Sequence, residues 1–283
     1  MKKLIYSMLF IFGITSILMV SCKKENTGTD SSDNTSAEES AIAAGAYYGS
    51  FADLSAVATE SDALFNVNGS GNQISEVPAS QLFSCAEVTV SPKDKTWPKT
   101  VTVDFGAGCT FDGVTRKGKI IAVFSDRFKN PGAKINVTYD NFYVNNYHIE
   151  GNTSITNNGK NTSGNFNYSL EVKGGKISYD AKSFSFSSVN NIELVMGAST
   201  ATPVDDVFSI TGSATGTNSK GGSCDVNIVK PLMKAVACKY IVSGSFDIVE
   251  GSAPVKTLDF GSGACDDVAT VTAGGVSKEI KLH

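Results

Sequence analysis

Residues 133–187 read AKINVTYDNFYVNNYHIEGNTSITNNGKNTSGNFNYSLEVKGGKISYDAKSFSFS. Apolar and polar side chains alternate along this stretch, as at Ile135, Val137 and Tyr139, and a period of two marks a strand with one buried face. Two residue pairs interrupt the pattern. Asn145-Asn146 sits between Phe-Tyr-Val and Tyr-His-Ile, and Gly174-Gly175 between Leu-Glu-Val-Lys and Lys-Ile-Ser-Tyr. Both pairs have the chemistry of two-residue hairpin turns, which need positive φ. After Tyr139 the alternation slips, because Phe142 and Val144 continue out of phase. A bulge near Asp140-Asn141 is therefore predicted, returning Ile135, Val137, Tyr139, Phe142 and Val144 to one face, with Tyr147 and Ile149 across from them.

The same reading extends in both directions. Strands are predicted at 100–105, 117–125, 133–144, 147–156, 164–173, 176–187, 206–217, 222–230, 238–249, 255–260, 266–272 and 276–282. The expected fold is all-β, a long antiparallel meander forming a sandwich or a curved half-barrel, and the missing βαβ alternation excludes a doubly wound sheet. One N-terminal helix precedes it. Ser36 and Glu39 have capping-box spacing, and Ile42, Tyr47, Phe51, Leu54 and Ala58 fall near one helical face. Gly45 and Gly49 weaken this helix, and Asn66-Val67-Asn68-Gly69 ends it.

The chain also repeats itself. Cys85 opens a unit that VTVDFGAGC (101–109) closes, and Cys238 opens another that KTLDFGSGAC (256–265) closes. Asp104, Phe105, Gly106 and Gly108 match Asp259, Phe260, Gly261 and Gly263, and each unit is followed by a further strand. With Cys22 set aside, five of the six cysteines remain. Two bridges among five can be drawn in about fifteen ways, from the choice of the thiol left out and three pairings of the other four. The repeat selects Cys85–Cys109 and Cys238–Cys265, each contributing roughly 3–4 kcal/mol on the loop-entropy model. Cys224 is then expected to be a buried thiol. Asp-Phe-Gly occurs in protein kinases as a magnesium motif, but no glycine-rich loop or catalytic-loop motif accompanies it here. The glycines instead suit a turn, with Asp104 and Asp259 accepting hydrogen bonds inside it.

Met1-Lys2-Lys3 is a short basic start, Leu4–Val20 carries no charge, and Ser21-Cys22 follows, as in a secretory signal. Leu18-Met19-Val20-Ser21-Cys22 resembles a lipobox. That resemblance implies cleavage before Cys22, diacylglycerol on its sulfur and acylation of the new N-terminus. Two or three chains at about 0.8 kcal/mol per buried CH₂ anchor a protein stably, where one would not. The expected organisation is a lipoprotein signal peptide over 1–21, a flexible tether over 22–40 and a single all-β domain over 41–283. Lys23-Lys24-Glu25 resembles the export signal of Bacteroidota surface lipoproteins, and implies the outer membrane, facing the periplasm or the exterior. RKGKIIAVFSDRF (116–128), NPGAKINVTYDNFYVNNYHIEG (130–151), FSITGSATGTN (208–218) and GACDDVATVTAGG (263–275) resemble a group of Bacteroidota-type outer-membrane lipoproteins. This implies an envelope β-domain and transfers no functional residues.

The formal net charge is −4, and losing Lys2 and Lys3 with residues 1–21 leaves −6. Such a chain lacks the basic footprint that nucleic acid requires. Nucleophilic catalysis by a Ser–His or Cys–His pair needs a histidine with a fixed partner, and the chain has only two, His148 and His283. G-x-S-x-G, H-E-x-x-H and C-x-x-C are absent, so no catalytic residue, metal or cofactor is assigned and the chain is read as a non-enzyme. Trp97, the sole tryptophan, lies in KTWPK (95–99) within the first repeat unit. It is a candidate for stacking on a ligand such as a sugar ring, weighed against packing on a sheet edge, which the reading favours. The expected role is a non-catalytic binding or structural component of the envelope. Its partners are the membrane, through lipid on Cys22, and a glycan, lipid or envelope protein. The alternative is a carrier holding a lipid or other apolar ligand in the curved sheet, which needs a cavity above about 300 Å³ with an opening. More distant is a carbohydrate-active enzyme, needing two carboxylates roughly 5–10 Å apart in a cleft.

Overall fold

A computed structural model describes residues 33–60, 84–111 and 113–283. The signal peptide, Cys22 and the helix end read at Asn66–Gly69 lie outside the described residues. A helix, α1 (Thr35–Glu60), is followed by β1 (Glu87–Ser91), β2 (Lys99–Asp104), β3 (Cys109–Phe111), β4 (Val114–Phe124) and β5 (Lys134–Val144). Next come β6 (Tyr147–Lys160), β7 (Phe166–Tyr179), β8 (Lys182–Met196), β9 (Val207–Thr217) and β10 (Ser223–Ala235). The chain ends with β11 (Ser243–Val249), β12 (Lys256–Ser262), β13 (Val268–Ala273) and β14 (Val276–Lys281). All fourteen strands lie in one antiparallel sheet, in chain order from β1 to β14 except that β3 pairs only with β4. The sheet is not closed into a barrel. Of the two shapes the sequence allows, the structure takes the curved open one rather than the sandwich.

Helix α1 packs on the concave side of the curled sheet, and the two share one core. Helix side chains meet partners from β4 to β12. Arg116 of β4 forks onto Asp53. The hydroxyl of Tyr47 donates to the carbonyl of Glu150 in β6 at 2.8 Å, while its ring stacks on Phe186 of β8 at 5.5 Å. Phe51 meets Tyr168 of β7 and Phe208 of β9 edge to face, at 5.7 and 5.1 Å. At the N-terminal end Ser36 donates to Glu250 at 2.5 Å, and Lys256 of β12 donates to the Asp33 carbonyl at 2.5 Å. Sequence reading places the helix with one face inward, but it is buried on nearly all sides. Only Thr35, Glu38, Ile42, Gly45, Gly49 and Asp53 form a partly open stripe up to the final turn. A helix enclosed in this way must be small or apolar all round, and Ala37, Ala41, Ala43, Ala44, Ala46, Ala52, Ala56 and Ala58 meet that need.

Two expectations at the helix start are corrected. The tether read over 22–40 does not include residues 35–40, which are helical, with Ser36, Glu39 and Ser40 buried. Ser36 and Glu39 also do not act as a capping box. Glu39 accepts from the Tyr179 hydroxyl at 3.0 Å and from the Ser219 amide at 2.9 Å, while Asp33 accepts from the Thr35 amide at 3.1 Å. Long-range partners outcompete the local cap because the site is dry, where every polar group must be satisfied.

A row of bulges bends the sheet. The register shifts between Thr138 and Tyr143 on β5, and Asn141 has φ 46°, as the phase slip predicts. Ile135, Val137 and Phe142 are buried, and Tyr139 and Val144 pack against the same core. Shifts also occur between Lys117 and Lys119 on β4, between Glu150 and Asn152 on β6, and between Val172 and Gly175 on β7. Adjacent bulges each add twist and together produce curvature. The Asn145-Asn146 hairpin is present, with Val144 opposite Tyr147. Gly174-Gly175 is not a hairpin. It is the β7 bulge, and the chain turns instead at Asp180-Ala181, with φ 44° and 61°. A Cβ on Gly175 would lie 2.4 Å from the Phe186 carbonyl and 2.6 Å from the Tyr47 hydroxyl, so the glycine lets helix and sheet approach.

Both disulfides selected by the repeat are formed, Cys85–Cys109 and Cys238–Cys265, and Cys224 is free and buried. Asp104 accepts from the Gly106 amide and Asp259 from the Gly261 amide, both at 2.8 Å, so the two turns match in detail. Cys85 and Cys238 themselves lie in turns before β1 and β11 and not in strands, because the bridges tie loops at the sheet rim.

Candidate functional site

The open stripe of α1 is the floor of a groove of about 470 Å³. Ile42, Gly45, Ala46, Gly49, Ser50 and Asp53 form the floor. Glycine in a helix interior costs roughly 1 kcal/mol relative to alanine. Paired glycines normally offset that cost by letting another backbone approach. Here a Cβ added at Gly45 or Gly49 would meet nothing within 4 Å. The two residues leave space in the helix surface and not a contact.

One wall comes from the β3–β5 corner: Phe111, Val114, Arg116, Val144, Asn145 and Tyr147. Arg116 fixes this wall to the helix, its Nε and Nη2 lying 2.8 and 3.1 Å from the two carboxylate oxygens of Asp53. A two-point pairing of this kind sets orientation as well as distance. Asn145 ties the hairpin down, its amide donating to Thr115 O at 2.7 Å and its Oδ1 accepting from the Thr115 amide at 3.1 Å. The Tyr147 phenol titrates above its usual range because burial disfavours the phenolate, with Asp180 and Glu38 adding to the effect.

The opposite wall is the segment from Lys234 to Tyr240, and Val204 also lines the groove, while His283 lies beside Tyr147 at a ring distance of 6.1 Å. Its shape is held internally. The buried Lys234 ammonium donates to the carbonyls of Ala235 and Cys238, and the Val236 amide donates to the Asp206 carbonyl at 3.0 Å. Lys239 Nζ lies 4.7 Å over the Tyr240 ring and 3.4 Å from where a Cβ on Gly113 would sit, so the two walls meet at this point.

The duplication flanks this groove. Cys109 lies two residues before Phe111 on one wall, and Cys238 is part of the other. Each disulfide ties down one side of the groove.

Sequence reading finds the bridging cysteines but not the groove. Its one site candidate, Trp97, is partly buried against the core and is not among the groove residues. Asp53, Arg116 and the 234–240 wall carry no motif. The available signal was Gly45-x-x-x-Gly49, which reads as a flaw in the helix until the space beside it is seen. In comparisons with protein-family models, with curated proteins and with solved structures, nothing matches the chain.

Proposed function

We propose that the protein is a lipid-anchored, non-catalytic binding protein of the outer-membrane envelope, taking a small ligand in the groove beside α1. The observation that carries this reading is the groove itself: about 470 Å³, walled by two disulfide-pinned units and floored by glycines beside which an added Cβ would meet nothing within 4 Å. Small-molecule sites fall in the range of about 300–1,000 Å³ and combine apolar walls with a few placed polar groups. Here Ile42, Phe111, Val114, Val144 and Val236 supply the apolar part, and Arg116, Asp53 and Lys234 the polar part. Since α1 occupies the concave side of the sheet, the ligand lies beside the helix and not inside a hollow barrel. Support for the anchor comes from residues 1–22 and from the two disulfides, which suit an oxidising compartment.

The test is native mass spectrometry of the full chain taken from membranes, beside a Gly45→Leu/Gly49→Leu variant that fills the floor. The parent should carry an added small-molecule mass that the variant lacks. Equal spectra without adduct would overturn the reading. The same spectra test the anchor, since the processed chain should begin at an acylated Cys22, and an unacylated Met1 form would remove it.

A further inference from the structure

Beside the groove lies a smaller recess of about 160 Å³, set between two hairpin tips. Asn145, Asn146 and Tyr147 come from the β5–β6 tip, Tyr179 and Asp180 from the β7–β8 tip, and His283 adds its ring. Asn145, Tyr147 and His283 also line the groove, so the two spaces adjoin there. Their chemistry differs. Among the described residues no aliphatic side chain lines the recess, whereas Ile42, Val114 and Val144 line the groove.

The recess combines rings with planar polar groups. The Tyr147 and Tyr179 rings lie 5.2 Å apart at 56°, splayed and not stacked. The Tyr179 hydroxyl donates to Glu39 at 3.0 Å, and Lys182 lies 5.9 Å over the same ring, so Tyr147 is the ring with the freer face. Asn145 spends its Oδ1 on the Thr115 amide at 3.1 Å, which leaves its side-chain donors. Asn146 and the Asp180 carboxylate form no side-chain hydrogen bond or ion pair with the described residues. Positive φ accounts for the residue types of Asn145 and Asp180, at 54° and 44°, but Asn146 is under no such demand.

We infer that the ligand of the groove carries a pyranose unit seated in this recess, its C–H face on Tyr147 and its hydroxyl edge among Asn145, Asn146 and Asp180. This rests on the groove being the binding site. A sugar ring is apolar on its faces and crowded with hydroxyls at its edge, so its site must offer an aromatic surface together with planar donors and acceptors. An apolar ligand seated there would strip water from the amides and the carboxylate and return no hydrogen bond. The recess holds one ring, and the remainder of the ligand lies in the groove.

The test is saturation-transfer NMR on the full chain in lipid nanodiscs, with empty nanodiscs as the blank. The probes are the methyl pyranosides of glucose, galactose, mannose and N-acetylglucosamine, beside tetrahydropyran, which keeps the ring and lacks the hydroxyls. At least one pyranoside should receive saturation from the protein, and tetrahydropyran should not displace it. Asn146→Ala and Asp180→Asn, both at exposed turn positions, should each weaken binding about two- to tenfold, the range for one lost hydrogen bond. Asn227→Ala on β10 should leave it unchanged. Equal displacement by tetrahydropyran, or undiminished binding in both turn variants, overturns the recess as a sugar site. So does the absence of transfer to every pyranoside, and native mass spectra then separate the two readings. A small-molecule adduct still present on the parent leaves the groove standing, and its absence removes both.

Discussion

Gly45 and Gly49 lie in a regular helix beside open space, so alanine at either should raise stability by about 0.5–1 kcal/mol. Urea denaturation of G45A and G49A measures this, and a loss of stability would mean that the space beside the helix is filled by protein. Gly118 is the opposite case. It has φ 75°, and a Cβ there would sit 2.0 Å from the Asn141 carbonyl oxygen. Gly118→Ala should cost more than about 2 kcal/mol, since strain and overlap add. Asp206 gives a pH signature. Burial pushes its carboxyl up to about 6, against the opposing charge of Lys129 and with Asp205 adding to the rise. A raised carboxylate value favours the neutral form in the fold, so its contribution is full below the ordinary value of 3.8 and is lost as pH rises through about 6. Asp206→Asn should therefore melt higher than the parent at pH 7 and equal to it near pH 4. An equal difference at both would show that the carboxyl does not titrate this way. Single residues also mark where sequence reading stops. The Asn141 bulge is legible because a phase slip records it, whereas Gly174-Gly175 misleads because a bulge and a hairpin ask for the same backbone freedom. Glu39 misleads because its partners, Tyr179 and Ser219, lie 140 and 180 residues away.

Strands carry the most legible signal, because alternation is local and burial on one face enforces it. The repeat is legible for the same reason, since Asp104-Phe105-Gly106 and Asp259-Phe260-Gly261 each form a self-contained turn. The groove is an element-scale property of another kind, made where helix, corner and loop meet. Its Arg116–Asp53 pair spans 63 residues, and no periodicity announces it. The disulfides connect these two kinds of information. Replacing Cys238 and Cys265 by serine should cost roughly 3–4 kcal/mol, as expected for the loop they close. It should also loosen the 234–240 wall and lower the fraction of chain carrying the added small-molecule mass. Denaturant midpoints and native mass spectra of the same samples separate the two effects, and an unchanged adduct would show that the wall needs no staple. Among the described residues β14 is a terminal strand of the sheet, and Lys278, Glu279 and Lys281 along it discourage pairing with another chain.

At the scale of the whole molecule, curvature and groove have one origin. The bulges wind the sheet around α1, and the winding brings the first repeat unit, near one end of the strand order, opposite the second, near the other. Neither unit has a groove alone, and the gap left over the helix is the product of their facing each other. The helix at the centre has a further consequence for biosynthesis. Asp33 waits for Lys256, made 223 residues later, an interval of roughly 10–45 s at about 5–20 residues per second. At the start of that interval an alanine-rich segment exists with none of the strands that will enclose it, and β12 is among the last of them to arrive. Nascent chains arrested before β12 should therefore remain protease-sensitive within 35–60 and hold a chaperone, and the segment made first should be the last to find its place.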